Sequence, residues 1–229
     1  MQRRARQLEL RPKTWGGARD GAGRKPNEGR RNVSHDRRTP HDARCPAHVT
    51  LRAGSHVPSL RSERFLAPIQ HALRAGTNGR FRVLEFSIQK DHLHLLVEAN
   101  GPTGFERGVR GLAIRIARLV NRLLGRRGSV WADRYHARLL RTPREVRNAL
   151  VYVLNNFRKH VRGARGLDPY SSGRWFQGWK TPPIAASARP PVARAMTWLA
   201  RVGWRKGGLL RIDESPVGPG RVRPRSARA

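Results

Sequence analysis

The sequence has almost no cysteine and few acidic residues. Cys45 is the only cysteine among 229 residues, which excludes an intramolecular disulfide and a zinc site of several cysteines. Acidic residues number 15 against 48 lysines and arginines, and the formal net charge is +33. Such an excess indicates a polyanionic partner, most simply a nucleic acid, whose binding weakens steeply as salt rises. A metal site in this chain would therefore have to use His, Asn, Asp or Glu.

Long apolar stretches are missing as well. The sequence contains no run of about 18 apolar residues and no clear secretory segment near the N-terminus, so we expect a soluble protein of the cytoplasm. A Gly-rich Walker pattern is also absent, which argues against a nucleotide-driven helicase module. These absences leave nucleic-acid binding, with or without chemistry, as the class of function to consider.

The composition predicts three segments. Residues 1–45 contain thirteen Lys/Arg against five Asp/Glu and show no hydrophobic period, which is typical of a basic, largely disordered arm. Residues 46–165 carry the periodic apolar pattern of a folded domain. Residues 166–229 form a basic extension rich in Trp, Pro and Arg, in which we expect one short helix over 188–206.

The periodicity of the central segment predicts strands and helices in the order β-α-β-β-α-β, followed by one more helix. Strands are expected at 46–52, 81–89, 92–98 and 130–141, and helices at 62–75, 103–124 and 143–160. In the second strand, Leu84, Phe86 and Ile88 are expected to share a face. The order predicts an α+β fold, a ferredoxin-like split βαβ sheet with two helices on one face. The capping box Thr142-Pro-Arg-Glu145 marks the start of the last helix, which would lie across the open face.

Two histidines stand on one side of the third strand. Because side chains alternate along a strand, His92 and His94 project to one face while Leu93, Leu95 and Val97 project to the other. Two neutral imidazoles on one face can converge on a divalent ion. The same pattern also fits a half-buried strand with two solvated histidines, so the pair alone does not decide between a ligand site and a plain strand.

A tyrosine and an asparagine lie off the apolar stripe of the last helix. Tyr152 and Asn156 are one turn apart, about 40° around the helix axis, and both point away from the centre of the apolar stripe. If this helix crosses the open face of the sheet, both side chains come close to the histidines of the third strand. Two independent periodicities thus predict one site.

Basic side chains dominate the helix predicted at 103–124. Its apolar stripe is flanked by arginines, which we expect to contact DNA phosphates: Arg107, Arg110, Arg115, Arg118 and Arg122. In the N-terminal arm, Arg24 and Lys25 follow flexible glycines and are expected to contact DNA in the same way.

These motifs together resemble a known family. His92-Leu93-His94 fits the His-hydrophobic-His motif of the HUH endonucleases, and Tyr152 with Asn156 is similar to their single catalytic tyrosine and its polar partner. The segments Trp15–Pro26, Trp131–Tyr135 and Asp168–Phe176 resemble the REP-associated tyrosine transposases, a branch of the insertion-sequence 200-like transposases. The resemblance covers about residues 15–178. Asn156 stands where many insertion-sequence members carry glutamine.

The resemblance implies a chemistry and a partner. Tyr152 would be the nucleophile that forms a 5′-phosphotyrosine on single-stranded DNA, and His92, His94 and Asn156 would hold Mg²⁺ or Mn²⁺. The expected substrate is a hairpin of a repetitive extragenic palindrome in the bacterial nucleoid, bound by a monomer or homodimer.

Three other readings stay open at this point. The first is a hairpin DNA- or RNA-binding protein with this fold and no catalysis. The second is a degenerate transposase that binds and no longer cuts. The third is a replication initiator or relaxase nuclease, although these usually carry additional modules for which this chain has no room.

Overall fold

The fold is described from a computed structural model, which describes residues 39–159, 165–183 and 188–215. The predictions for Arg24, Lys25 and most of the N-terminal arm lie outside the described residues. The described elements follow the predicted order. They are β1 (Ala47–Arg52), α1 (Glu63–Gly76), β2 (Phe81–Ile88), β3 (His92–Ala99), α2 (Pro102–Leu123), β4 (His136–Leu139), α3 (Pro143–Asn155) and α4 (Trp198–Arg201).

The four strands form one antiparallel sheet in the order β2-β3-β1-β4. This order places β1 and β3 in the centre, as expected when two βαβ units interleave in a ferredoxin-like sheet. The predicted α+β fold class is therefore confirmed. Because β1 pairs directly with β3, residues that are more than 40 positions apart become neighbours: Thr50 faces His94 and Arg52 faces His92.

The alternation of side chains gives the sheet two different faces. On one face, α1 and α2 cover an apolar core, to which β1 contributes Ala47, Val49 and Leu51. α3 packs on the other face, where a second apolar cluster joins Leu84 and Leu96 to its Val146, Leu150 and Leu154.

The prediction for β2 is wrong at one residue. Leu84 does not share a face with Phe86 and Ile88: it packs with α3, whereas the other two lie in the core under α1 and α2. The cause is a β-bulge, since the pairing with β3 shifts between Val83 and Glu85. The extra residue reverses the alternation.

The helix that carries Tyr152 begins at the predicted capping box. The Thr142 hydroxyl accepts from the Glu145 backbone N–H, and the Glu145 carboxylate accepts from the Thr142 backbone N–H. α3 then ends at Asn155, and a 3₁₀ turn covers Asn156–Lys159, so the predicted helix over 143–160 is one part α-helix and one part 3₁₀. Among the described residues, no helix is long and apolar enough to span a membrane.

Two other boundaries differ from the prediction. The fourth strand is only His136–Leu139, because the preceding segment reaches the sheet through a single bridge between Trp131 and Ala53. The helix predicted over 188–206 is limited to the single turn Trp198–Arg201, followed by a 3₁₀ segment. Pro190 and Pro191 lack backbone donors, and the helical turn starts only after the Thr197 hydroxyl accepts from the Ala200 N–H.

The described part of the C-terminal extension packs against the outer edge of β2. Ile88 N–H donates to the Tyr170 carbonyl, and Ala193 N–H donates to the Val83 carbonyl. Behind these bonds, Asp168 is fully buried and forms two hydrogen bonds with the Arg61 guanidinium, at 2.6 and 2.9 Å. This edge of the sheet is therefore covered by the chain itself.

Candidate active site

The two histidines of β3 lie on the face of the sheet that α3 covers. His94 is buried and His92 is half-buried, and their ring centroids are 4.6 Å apart with the planes at 78°. The predicted co-facial arrangement is thus present in the fold. It follows from the alternation along β3, whose Leu93 and Leu95 fill the core on the opposite side.

Tyr152 reaches this pair from α3. Its ring centroid is 5.0 Å from that of His94 and 5.6 Å from that of His48, with edge-to-face packing in both cases. The side chain is half-buried, and burial raises the pKa of its phenol. The tyrosine is therefore protonated at neutral pH in the free protein, and it must lose this proton before or during any attack by its oxygen.

Asn156 follows Tyr152 by one helical turn. Its backbone angles, φ −60° and ψ −30°, continue the path of α3. The side chain is 1% exposed, and neither its carbonyl oxygen nor its amide nitrogen has a hydrogen-bond partner among the described residues. A buried amide without partners is costly, and such a group is expected where a ligand supplies the missing contact.

Two residues of β1 contact the Nδ1 side of His94. The sequence analysis did not include them in the site. The Thr50 hydroxyl lies 3.1 Å and the His48 Nε2 lies 3.2 Å from His94 Nδ1. With Nδ1 engaged by these two groups, a metal bound by His94 would have to bind Nε2. The alternation of β1 signals that both side chains share the polar face, but only the pairing of β1 with β3 shows that they meet His94.

The charge state of His48 follows from its surroundings. Burial, together with the neighbouring charges of His136 and Arg138, lowers the pKa of His48 to about 4. His48 is therefore neutral at pH 7 and has one nitrogen that donates and one that accepts. A neutral ring can bond to His94 without placing a second positive charge beside a cation site.

Asp91 orients the other histidine. Its Oδ1 lies 2.7 Å from His92 Nδ1, and its Oδ2 accepts from the Arg52 guanidinium at 3.1 Å. Burial would raise the pKa of Asp91, but the hydrogen bond and charge of His92 and the charge of Arg52 outweigh it and lower that pKa. The carboxylate thus holds the Nδ1 side of His92, an arrangement common behind metal-binding histidines.

The atoms at this site that could bind a metal fit a divalent ion of intermediate hardness, between ions that prefer only oxygen and ions that prefer sulfur. No cluster of three or more His, Cys, Asp or Glu side chains suited to a metal occurs in the described ranges. A third protein ligand would therefore come from another kind of group, and the buried, unbonded amide of Asn156 is available. Two imidazoles and one amide oxygen suit Mn²⁺ and also allow Mg²⁺.

The predicted DNA-binding arginines of α2 lie on the other side of the sheet. Arg107, Arg110, Arg115, Arg118 and Arg122 are all exposed, but their helix covers the face opposite to α3. They are therefore not part of the wall around Tyr152. Two exposed basic side chains border the site in the sheet: Arg52 of β1, whose strand neighbour is His92, and Arg138 of β4, whose strand neighbour is His48.

Comparisons with known proteins place this site in a family. No curated protein matches the chain. A solved structure of a REP-associated tyrosine transposase bound to a REP hairpin is similar, with 17% identity and a TM-score of 0.49 over 61% of this chain and 82% of that chain. The family profile described as IS200-like transposase matches residues 44–156, a range that contains β1, both histidines of β3, Tyr152 and Asn156. Residues 44–156 of this chain, about half of its length, therefore match the IS200-like transposase family.

Proposed function

We propose that the protein is a metal-dependent transposase of the REP-associated branch, which cleaves and rejoins single-stranded hairpin DNA through Tyr152. The observation that carries this proposal is the position of Tyr152: a helix that follows the last strand sets its ring 5.0 Å from His94 on the polar face of the sheet. A tyrosine that served only packing would belong to the apolar stripe of α3, whereas Tyr152 is half-buried among histidines.

The covalent step uses the phenolic oxygen of Tyr152. Attack of Oη on the scissile phosphorus forms an O–P bond and breaks the bond from phosphorus to the 3′ oxygen. The phenol proton passes to solvent, and the departing 3′ oxygen takes up a proton to become a 3′-OH. The product is a 5′-phosphotyrosine, and attack by a 3′-OH reverses the step. Because one phosphodiester replaces another, strands can be rejoined without a nucleotide cofactor.

The surrounding side chains have separate roles in this proposal. His92, His94 and Asn156 would hold Mg²⁺ or Mn²⁺, which as a Lewis acid polarises the scissile phosphate. Asp91 fixes the ring of His92, and Thr50 and His48 fix the ring of His94. The net charge of +33 favours DNA binding.

The alternative is a protein that binds hairpin DNA or RNA without cutting it. One observation favours it: burial raises the pKa of Tyr152, so that less of the nucleophilic phenolate is present at neutral pH in the absence of bound ligands. On this alternative, the histidines and Tyr152 would only form part of a binding surface.

A cleavage assay separates the two functions. Labelled single-stranded hairpin DNA is incubated with the full chain and Mn²⁺ and is then resolved on a denaturing gel. Wild type should leave a protein–DNA adduct that survives denaturation. Tyr152→Phe should lose the adduct and still shift the DNA on a native gel, while Tyr170→Phe, a matched control in the C-terminal extension, should form the adduct normally. Binding to a range of hairpins without any adduct from wild type would refute the catalytic proposal.

A further inference from the structure

A cavity at the outer edge of β4 has a lining unlike that of the catalytic site. Its volume is about 400 Å³, a size typical of small-ligand pockets. Both rows of β4 side chains border it: Ala137 and Leu139 from the α1/α2 side, and His136 and Arg138 from the α3 side. The cavity therefore wraps around the strand. We call it the edge pocket.

Aromatic rings form much of the wall of the edge pocket. The His41 ring stacks on Phe105 with centroids 4.6 Å apart and planes within 6°, and Tyr135 packs edge-on against Phe105 at 6.1 Å. Flat aromatic surfaces of this kind stack nucleobases in proteins that bind single strands. Such stacking needs no particular base, because every base has a flat face.

His41 also brings unused hydrogen-bonding capacity to the wall. The side chain is 6% exposed, and one ring nitrogen interacts with the backbone of Ala99, although without the geometry of a full hydrogen bond. Burial lowers the pKa of His41 more than this interaction raises it, so the ring is neutral and has one nitrogen that donates and one that accepts. The nitrogen that does not face Ala99 can bond to the polar edge of a base.

The rim of the pocket is basic. His136, Arg138 and Arg141 are exposed there, against one acidic residue, Glu106. Arg138 bonds to Glu145 at 2.8 Å but keeps 57% of its side chain exposed. A rim of this charge suits an anionic ligand such as a phosphate backbone and does not suit a basic or neutral peptide.

The pocket is next to the catalytic site in the sheet. His136 is the strand partner of Thr50, and Thr50 contacts His94. Adjacent strands are about 4.8 Å apart, so a DNA strand at Tyr152 that continues over β4 reaches the pocket within a short distance.

We propose that the edge pocket binds one unpaired nucleobase of a single-stranded DNA that crosses β4. The half-buried ring of Tyr135 stacks against the base, the polar edge of His41, which Phe105 holds from behind, bonds to it, and Arg138 and Arg141 contact the flanking phosphates. The choice of DNA over RNA rests on the proposed function. The aromatic wall and the basic rim are observations of the pocket itself.

Photocrosslinking of the wild-type full chain tests the position of the base. The probe is a 20-nucleotide oligo(dT) with one central 5-iodouracil, bound in EDTA so that no cleavage occurs. Mass spectrometry of the irradiated complex should find the crosslink on His41, Phe105 or Tyr135. Crosslinks found only elsewhere, for example on the exposed Trp198 of the C-terminal extension, would overturn the proposal.

Affinity measurements test how much the side chains of the edge pocket contribute to DNA binding. His41→Ala and Tyr135→Leu should each weaken oligo(dT) binding by roughly 5-fold or more, as expected for the loss of one side chain that contacts the base. Both variants should also reduce the preference of wild type for oligo(dT) over a 20-mer of abasic sugar-phosphate. His71→Ala, which removes an exposed histidine of α1, should bind as wild type does. Wild-type affinity in both pocket variants would overturn the proposal, and the crosslink decides if either variant fails to fold.

The two proposals fail in different ways. A crosslink in the edge pocket without any Tyr152-dependent adduct would refute the catalytic proposal and support the pocket. A Tyr152-dependent adduct with crosslinks only outside the pocket would do the reverse.

Discussion

The two outer edges of the sheet differ in whether another segment of the chain covers them. The outer side of β2 is bonded to the C-terminal extension through Tyr170 and Ala193. The outer side of β4 has no strand partner within the described ranges; instead it has exposed cationic side chains and the edge pocket. An uncovered strand edge invites pairing with other chains unless charge or a short length prevents it. β4 is four residues long and has Arg138, so the edge that is left open is also the edge that is protected and suited to DNA.

On the two proposals made above, the β2 edge contributes stability, the centre of the sheet binds a cation and the β4 edge contacts DNA. Four substitutions, one at each edge and two at the centre, test these three roles separately, and each region has a control elsewhere in the chain.

The largest effect is expected at the β2 edge. Asp168→Asn leaves the partly buried Arg61 without its carboxylate, a change that typically destabilises a protein by about 3 kcal/mol. The free energy of unfolding, measured by urea denaturation, should fall by about that amount. Asp213→Asn removes the exposed partner of Arg211 and should leave the urea midpoint unchanged. If Asp168→Asn also left the midpoint unchanged, the ion pair would not hold the covering segment in place.

An intermediate effect is expected at the centre of the sheet. Thr50→Val and His48→Ala each remove one of the two contacts to His94 Nδ1, and the loss of such a supporting contact typically weakens metal binding roughly 10- to 100-fold. The dissociation constant for Mn²⁺ can be measured by electron paramagnetic resonance of the free ion, without any cleavage assay. His71→Ala serves as the control histidine. Wild-type Mn²⁺ affinity in both variants would show that His94 needs no support from β1.

The smallest effect is expected at the β4 edge. Arg138→Ala should change stability little, because exposed ion pairs contribute at most about 1 kcal/mol. It should lower the slope of log K against log salt for oligo(dT) by about 1, as expected for one lost phosphate contact. Arg64→Ala, on the exposed side of α1, should leave the slope unchanged. An unchanged slope in Arg138→Ala would place the DNA away from this edge.

Local patterns in the sequence were sufficient for the elements that follow a regular period. The alternation of β3 correctly placed His92 and His94 on the open face, and the capping box correctly marked the start of α3. The order of elements was sufficient for the ferredoxin-like topology, because few arrangements join two βαβ units in one antiparallel sheet.

Features that depend on distant pairing could not be predicted in the same way. The bulge that turns Leu84 over is a property of how β2 fits against β3, and no local residue type marks it. The contacts of Thr50 and His48 with His94 arise only because β1 and β3 are neighbours in the sheet. His41 was overlooked because the basic, non-periodic composition around it gives no sign that Phe105, more than 60 residues away, stacks against it.

The buried carboxylate of Glu98 depends on hydrogen-bond donors that are synthesised long after it. This buried carboxylate belongs to β3, the strand of the two histidines, and it accepts hydrogen bonds from the Met196 N–H, the Thr197 N–H and the Thr197 hydroxyl. At roughly 5–20 residues per second, a growing chain needs about 5–20 seconds after Glu98 before these donors are made. During that time, the histidine strand contains a carboxylate that lacks these three donors, and α3 lacks the ion pair of Arg147 with Glu214. The strand and the helix of the candidate site therefore gain these contacts only after the chain has been synthesised as far as residue 214.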